Sequence, residues 1–310
     1  MSALLLHPGP VPVETLRAAL ARALPGLPVR LWPDCGDVDE IDVALVSRIP
    51  DGALARLPKL RMVASLHAGI DHLLRDAALS PAIPITRPVS AHGDALMNEY
   101  ILAQVLHHHR DMPAYAQAQA EARWIRREIL PVSQRRVGFL GLGAVGLPAA
   151  QLLARVGFDV AGWARRERAG GEFAVFHGEQ GLRALVERSQ ILVNLLPLTP
   201  QTENIIDAHL LSWLPEGAAV INVGRGQHVV DAALMAALDG GRLAGATLDV
   251  FRTEPLPSDD PLWRHPGITI TPHASRRVSV DEVVTLLAAN FARLQAGLPL
   301  LHTVDRSAGY

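Results

Sequence analysis

The chain has 310 residues, and at roughly 100 to 200 residues per domain this predicts two domains with cores of ordinary size. With 29 basic against 31 acidic residues the formal net charge is −2, which gives no electrostatic case for nucleic acid or a membrane surface as partner. No segment approaches the ~20 apolar residues of a bilayer span, the opening MSALLLHPGP lacks the basic lead-in of an export signal, and one cysteine, Cys35, leaves no disulfide framework or thiolate zinc cluster; a cytoplasmic protein is expected.

In chain order, ALLL, TLRAALARAL, VRLW, IDVALV, GALARL, RMVASL and IPIT alternate strand-like with helical runs. PGLP, PDCGD and IPDG mark turns between them. The rhythm predicts β-α-β units and a parallel sheet covered by helices on both faces. From Asp94, ALMNEYILAQVLHH has helical periodicity, with Gly93 and Asp94 as the expected N-cap, so the first boundary falls near His92. RRVGFL, FDVAGW, QILVNLLP, AAVINVGRG, LAGATLDVF and ITITPH follow as six expected strands. A last helix near Val278 to Gly297 precedes a short tail, VDRSAGY, expected to pack back on the first domain.

Directly after RRVGFL, Gly141, Gly143 and Gly146 form G-x-G-x-x-G, with Ala144 and Val145 between the last two, at the head of the helical run AVGLPAAQLLARVG. In that setting the first glycine permits a tight turn, the second lets a pyrophosphate approach the backbone, and the third lets helix and strand pack closely. The helix N-terminus attracts the phosphate charge. An NAD-binding site of this kind usually carries an acidic residue about 20 positions on, to bond the ribose 2′-hydroxyl. Ala164 stands 21 residues after Gly143, followed by Arg165 and Arg166. Loss of the acid and gain of two guanidinium groups favour a 2′-phosphate, so NADPH is the expected cofactor and NADH the weaker alternative.

Three polar residues lie at the ends of expected strands: Arg225 in NVGRG, Glu254 in DVFRTEPLP and His273 in TPHAS. In open α/β sheets that edge binds ligands. A guanidinium holds a carboxylate bidentately, and an imidazolium, favoured by a neighbouring carboxylate, gives up a proton. His107, His108 and His109 are consecutive on a helix and point about 100° apart, unlike an i,i+4 metal pair, so no metal site is expected.

On these residues, together with HAGIDHLL, LLPLTPQT, INVGRG, LDVFRTEPLP and the terminal VDRSAGY, the chain resembles the D-2-hydroxyacid dehydrogenase family over nearly its whole length, and within it the bacterial glyoxylate/hydroxypyruvate reductases. The resemblance implies an α/β protein of two doubly wound parallel-sheet domains, with a Rossmann cofactor domain (93–277) inserted in a flavodoxin-like substrate domain (1–92 and 278–310). It implies an oxidoreductase that reduces small 2-oxoacids, glyoxylate to glycolate and hydroxypyruvate to glycerate. His273 would protonate the keto oxygen as hydride reaches C2, Glu254 would orient His273, and Arg225 would hold the oxo-acid. Ala68 and Gly69 would offer backbone N–H groups to the substrate carboxylate. Asp249 would lie near the nicotinamide carboxamide, with Pro197, Thr202, Val223, Gly224 and His273 also along the cofactor. The helix Asp94 to Asp111 and the arm Met112 to Pro131 resemble a two-fold dimer contact, so a homodimer is expected; Trp124 of that arm faces either a partner subunit or local neighbours.

Two alternatives stand beside this. One is a reductase of bulkier 2-oxoacids, decided by pocket loops such as Ser47, Arg48 and Ile49, where Arg48 would add a second cation and His67 borders Ala68. The other is a dinucleotide-sensing protein without turnover, which has no use for an acid catalyst such as His273. A β-hydroxyacid dehydrogenase would carry its glycine turn near the N-terminus, and formate dehydrogenase pairs its histidine with glutamine where this chain has Glu254.

Overall fold

The computed structural model describes residues 2–89, 91–165, 171–276 and 278–306. It divides into two compact units, Met1–Gly93 with Arg277–Tyr310, and Asp94–Arg276.

In the first unit the described residues form five parallel strands, β1 (Ala3–His7), β2 (Val29–Leu31), β3 (Ile41–Val46), β4 (Met62–Ser65) and β5 (Ile85–Thr86), in the order β2-β1-β3-β4-β5. This is the flavodoxin-like order, which reverses between β1 and β3. Both faces of the central strands are covered, so β1, β3 and β4 read as near-continuous apolar runs. Along β1, Leu4 and Leu6 pack with Leu16 and Leu20 of the helix Val13–Ala23 and with Val283 and Leu287 of the C-terminal helix. Ala3 and Leu5 point to the other face, among Val63, Leu54 and Leu57. GALARL, expected as a helix, forms only the 3₁₀ turn Leu54–Arg56; Pro58 follows Leu57 and disfavours the helical conformation there. The C-terminal helix Val280–Gln295 starts at a capping box: Ser279 Oγ accepts from the Glu282 N–H and Glu282 Oε2 accepts from the Ser279 N–H, both at 3.1 Å. The tail then bridges Thr303 antiparallel to Thr86, and the Val304 N–H donates to Ile85 O at 2.9 Å. The final residues of VDRSAGY, 307–310, lie outside the described residues.

In the second unit the described residues form seven parallel strands, β6 (Arg136–Leu140), β7 (Asp159–Ala164), β8 (Ala174–His177), β9 (Ile191–Asn194), β10 (Ala218–Asn222), β11 (Leu243–Leu248) and β12 (Ile268–Ile270). Their order is β12-β11-β10-β9-β6-β7-β8, the Rossmann order with its switch point between β6 and β9. One strand, β8, is additional to the six expected. It is an edge strand paired with β7 and half exposed, so it lacks the continuous apolar run that marks its buried neighbours. Side chains alternate between two cores, Leu192 and Val220 on one face, Val193 and Ile221 on the other. The helix expected from Asp94 starts at Ala91 and runs to His109. Gly93 and Asp94 therefore lie within its first turn, not at its cap, and Asp94 pairs with Arg276 Nη2 at 2.8 Å. No helix among the described residues is long and apolar enough to cross a membrane.

Candidate active site

Because all strands of the second sheet run parallel, their C-terminal ends share one edge. The register sets Trp163, Leu140, Asn194, Asn222, Leu248 and Ile270 side by side across it. The glycine turn, Arg165, the loop Leu195–Thr202, Arg225, Asp249 and His273 all leave the sheet from this row.

The three glycines meet three different demands. Gly141 has φ +96°, closed to most side chains, and its N–H donates to Trp163 O at 3.1 Å. A Cβ on Gly146 would stand 2.1 Å from Gly141 O, so any side chain would force the helix off the turn. A Cβ on Gly143 would meet nothing within 4 Å; Gly143 and Ala144 are exposed and Val145 is half buried. The helix Gly146–Val156 starts from Val145 without a side-chain cap; the Leu147 and Ala149 N–H groups donate to Gly143 O and Val145 O, so an anion would meet the positive end of the helix dipole at the glycine turn. An open backbone face at Gly143, at the head of a helix, fits the pyrophosphate of a dinucleotide. At the end of β7, Ala164 is half buried and Arg165 exposed, while Arg166 lies outside the described residues.

After β9, Thr202 braces its own loop. Its Oγ1 donates to Pro197 O at 2.7 Å and accepts from the Thr199 N–H at 2.8 Å. After β10 come Val223, Gly224 and Arg225, whose Nη1 donates to Gly224 O at 2.7 Å. Beneath them lies a polar cluster that strand patterns did not reveal: Asn194, Asn222 and His228 are all 0% exposed and hydrogen-bonded together. Its signal in the sequence is two asparagines that close apolar runs, LVN and VIN, at matching places.

Asp249 is also 0% exposed. Its Oδ1 accepts from Thr271 Oγ1 at 2.6 Å and the Ala274 N–H at 2.7 Å, and its Oδ2 accepts from the Ser275 N–H at 3.1 Å. The carboxylate thus grips the loop after β12 on both sides of His273. Since Thr271 Oγ1 gives its proton to Asp249, it accepts from Tyr100 Oη at 2.6 Å. Burial, aided by the Asp249 charge, pushes the Tyr100 phenol up to about 12. Within this loop His273 has φ +52°, a conformation that a non-glycine residue holds only when its surroundings impose it. The His273 N–H donates to both Asp249 O (2.8 Å) and Thr271 O (3.0 Å).

His273 Nδ1 lies 2.9 Å from Glu254 Oε2, with side chains 43% and 19% exposed. The other oxygen, Oε1, accepts from the Phe251 N–H at 3.1 Å, which fixes the carboxylate plane. The pair can therefore present an oriented imidazole to a reacting atom, and it sits on the edge that carries the glycine turn and Arg225.

In the first unit, Ala68 and Gly69 are half buried in the loop after β4, and Ala68 O accepts from Arg87 Nη1 at 3.1 Å. His67 Nε2 is 2.7 Å from Ser47 Oγ, and Arg48 is exposed. The three consecutive histidines turn to different partners: His107 to Thr269, His108 to Thr247 and His109 to Arg135. Trp124 is 91% exposed.

The family model for the D-isomer specific 2-hydroxyacid dehydrogenase NAD binding domain matches residues 102–275. The glyoxylate/hydroxypyruvate reductase A of Escherichia fergusonii is 38% identical over 300 residues, 94% of this chain and 95% of that protein. Two solved structures superpose closely. A D-isomer specific 2-hydroxyacid dehydrogenase from Xanthobacter autotrophicus Py2, in complex with NADPH and MES, is 40% identical with a TM-score of 0.91, covering 99% of both chains. An NADPH-dependent glyoxylate/hydroxypyruvate reductase from Sinorhizobium meliloti, in complex with NADP and sulfate, is 35% identical with a TM-score of 0.91, covering 100% of both.

Proposed function

The chain belongs to the D-isomer specific 2-hydroxyacid dehydrogenase family and is an oxidoreductase, and we propose that it reduces small 2-oxoacids with NADPH, glyoxylate to glycolate and hydroxypyruvate to glycerate, with His273 as general acid. The observation that carries this reading is the His273–Glu254 pair at 2.9 Å on the sheet edge that bears the open face of Gly143.

When bound, the nicotinamide supplies the hydride. Reduction of a 2-oxo group also needs a proton on the oxygen, and that is the protein's task. With Nδ1 taken by Glu254, the transferable proton of the imidazolium is on Nε2, and Glu254 stabilises the charge until transfer. Arg225 pairs with the substrate carboxylate, and the backbone N–H groups of Ala68 and Gly69 are assigned to substrate binding. The glycine turn with Ala144 and Val145, together with Pro197, Thr202, Val223, Gly224 and Asp249, forms the proposed dinucleotide side. NADPH is favoured over NADH because Ala164 replaces an acid and Arg165 follows it. The NADPH and NADP in the two related structures point the same way. We further place the enzyme in the cytoplasm as a homodimer, in which a second copy covers the exposed Trp124 and Ile129.

Steady-state oxidation of NADPH with a panel of 2-oxoacids tests the reading. Glyoxylate and hydroxypyruvate should give the highest kcat/KM. Higher values for bulky 2-oxoacids would overturn the substrate assignment, and no turnover with any of them would overturn the activity.

A further inference from the structure

We propose that His228 is a positioning residue for substrate binding, acting with Asn222 as a clamp on both peptide groups of Arg225. The proposal rests on the reading that Arg225 holds the 2-oxoacid carboxylate.

Asn194 and Asn222 end neighbouring strands in register, and with His228 they form a polar cluster fully shielded from solvent. Polar side chains buried this way cost stability unless each is satisfied. Here the partners assign every proton. The Arg225 N–H donates to His228 Nδ1 at 3.0 Å, so that nitrogen carries no hydrogen. The ring proton is then on Nε2, which donates to Pro197 O at 3.3 Å. Asn194 Nδ2 donates one hydrogen to Asn222 Oδ1 at 2.9 Å and points the other at His228 Nδ1, 2.9 Å away, sharing that nitrogen's one lone pair with the Arg225 N–H. Asn222 Oδ1 also accepts from the Gly224 N–H at 3.2 Å, and its Nδ2 donates to Arg225 O at 2.9 Å.

Arg225 is therefore held on both sides of its Cα, its N–H by His228 and its C=O by Asn222. An arginine has several free rotors beyond Cβ, and the fold can fix only their root. Fixing the root confines the guanidinium to one small volume. Displacement of a binding group by about 1 Å can cost about 100-fold in rate. Leucine or phenylalanine would fill this interior without desolvating three polar side chains. What the polar cluster adds is control over the Arg225 backbone.

Two near-isosteric variants separate this role from simple filling. Asparagine places its Oδ1 where Nδ1 stands and keeps the bond from the Arg225 N–H. Glutamine reaches the Nε2 position, keeping the bond to Pro197 and losing the clamp. In His228→Gln we expect KM for glyoxylate to rise about 10- to 100-fold, with the NADPH dissociation constant close to wild type. His228→Asn should keep KM close to wild type. A rise in His228→Asn equal to that in His228→Gln, or no rise in either, would overturn the clamp. Arg225→Ala is the control. If it raises KM and His228→Gln does not, the clamp alone fails; if Arg225→Ala leaves KM unchanged, the reading of Arg225 fails and the proposal with it. Should either His228 variant not fold, amide exchange in the wild type decides: slow exchange of the Arg225 N–H supports the clamp, and exchange at the rate of an unbonded loop amide overturns it.

Discussion

Replacing Asp249 by asparagine removes the charge beneath His273 while keeping the shape. The carboxylate accepts three hydrogen bonds, from Thr271 Oγ1 and the Ala274 and Ser275 N–H groups. An amide oxygen turned toward Thr271 and Ala274 leaves the NH₂ facing the Ser275 N–H. One bond to a charged group, worth about 1.5–3 kcal/mol, is lost, and a buried N–H is orphaned at about 1–3 kcal/mol. Relief of burying a charge offsets part of this, so the loop should lose about 2–4 kcal/mol net. That same loop holds His273 at φ +52°, at a conformational cost of about 1–2 kcal/mol. If the carboxylate is what keeps the strained loop in place, kcat for glyoxylate reduction should fall by about 30- to 1,000-fold, at about 1.4 kcal/mol per tenfold. Stopped-flow and steady-state rates with NADPH, beside a fluorescence titration of NADPH binding, make the measurement. A kcat like that of the wild type would refute the brace. A loss confined to NADPH affinity would instead place the role of Asp249 at the nicotinamide.

Glu254→Gln keeps an acceptor for the Phe251 N–H but removes the charge beside His273; kcat should drop about 10- to 100-fold, less than on loss of the histidine, and steady-state rates equal to wild type would remove Glu254 from the mechanism. Arg165→Ala should lower kcat/KM with NADPH about tenfold or more and spare the NADH reaction, and an equal fall with both cofactors would contradict its role at the 2′-phosphate. His108, 8% exposed, has its pKa lowered from 6.5 to about 4, chiefly by burial and further by His107. The folded value lies below the unfolded one, so its contribution is complete above pH 6.5 and fades as pH falls toward 4, about 2.5 kcal/mol being lost by about pH 4.5. Urea unfolding of His108→Leu at pH 7.5 and 4.5 should show a correspondingly smaller difference than wild type; an unchanged difference would contradict the shift.

Much of the fold was legible because burial on both faces forces apolar runs, as in IDVALV and AAVIN. The glycine turn was legible because each glycine answers a separate steric demand. Illegible elements had weaker local causes. The edge strand β8 needs only one neighbour, so AVFH carries a short, half-exposed pattern. GALARL has helical composition, and the proline after Leu57 decides against a helix. At the site, Arg225, Glu254 and His273 were visible as polar residues closing strands. Their supports were not, because Asn194, Asn222, His228 and Tyr100 meet their partners only through strand register and loop closure. Thr271 reads as one more β-branched residue at a strand end, and only the structure shows its hydroxyl linking Tyr100 to Asp249.

The central claim is that His273 delivers the proton. The most direct test is the turnover of His273→Ala with NADPH and glyoxylate, measured beside its NADPH dissociation constant. Loss of the general acid should lower kcat about 10²- to 10⁴-fold while NADPH affinity stays within about twofold of wild type. An unchanged kcat would contradict the claim outright.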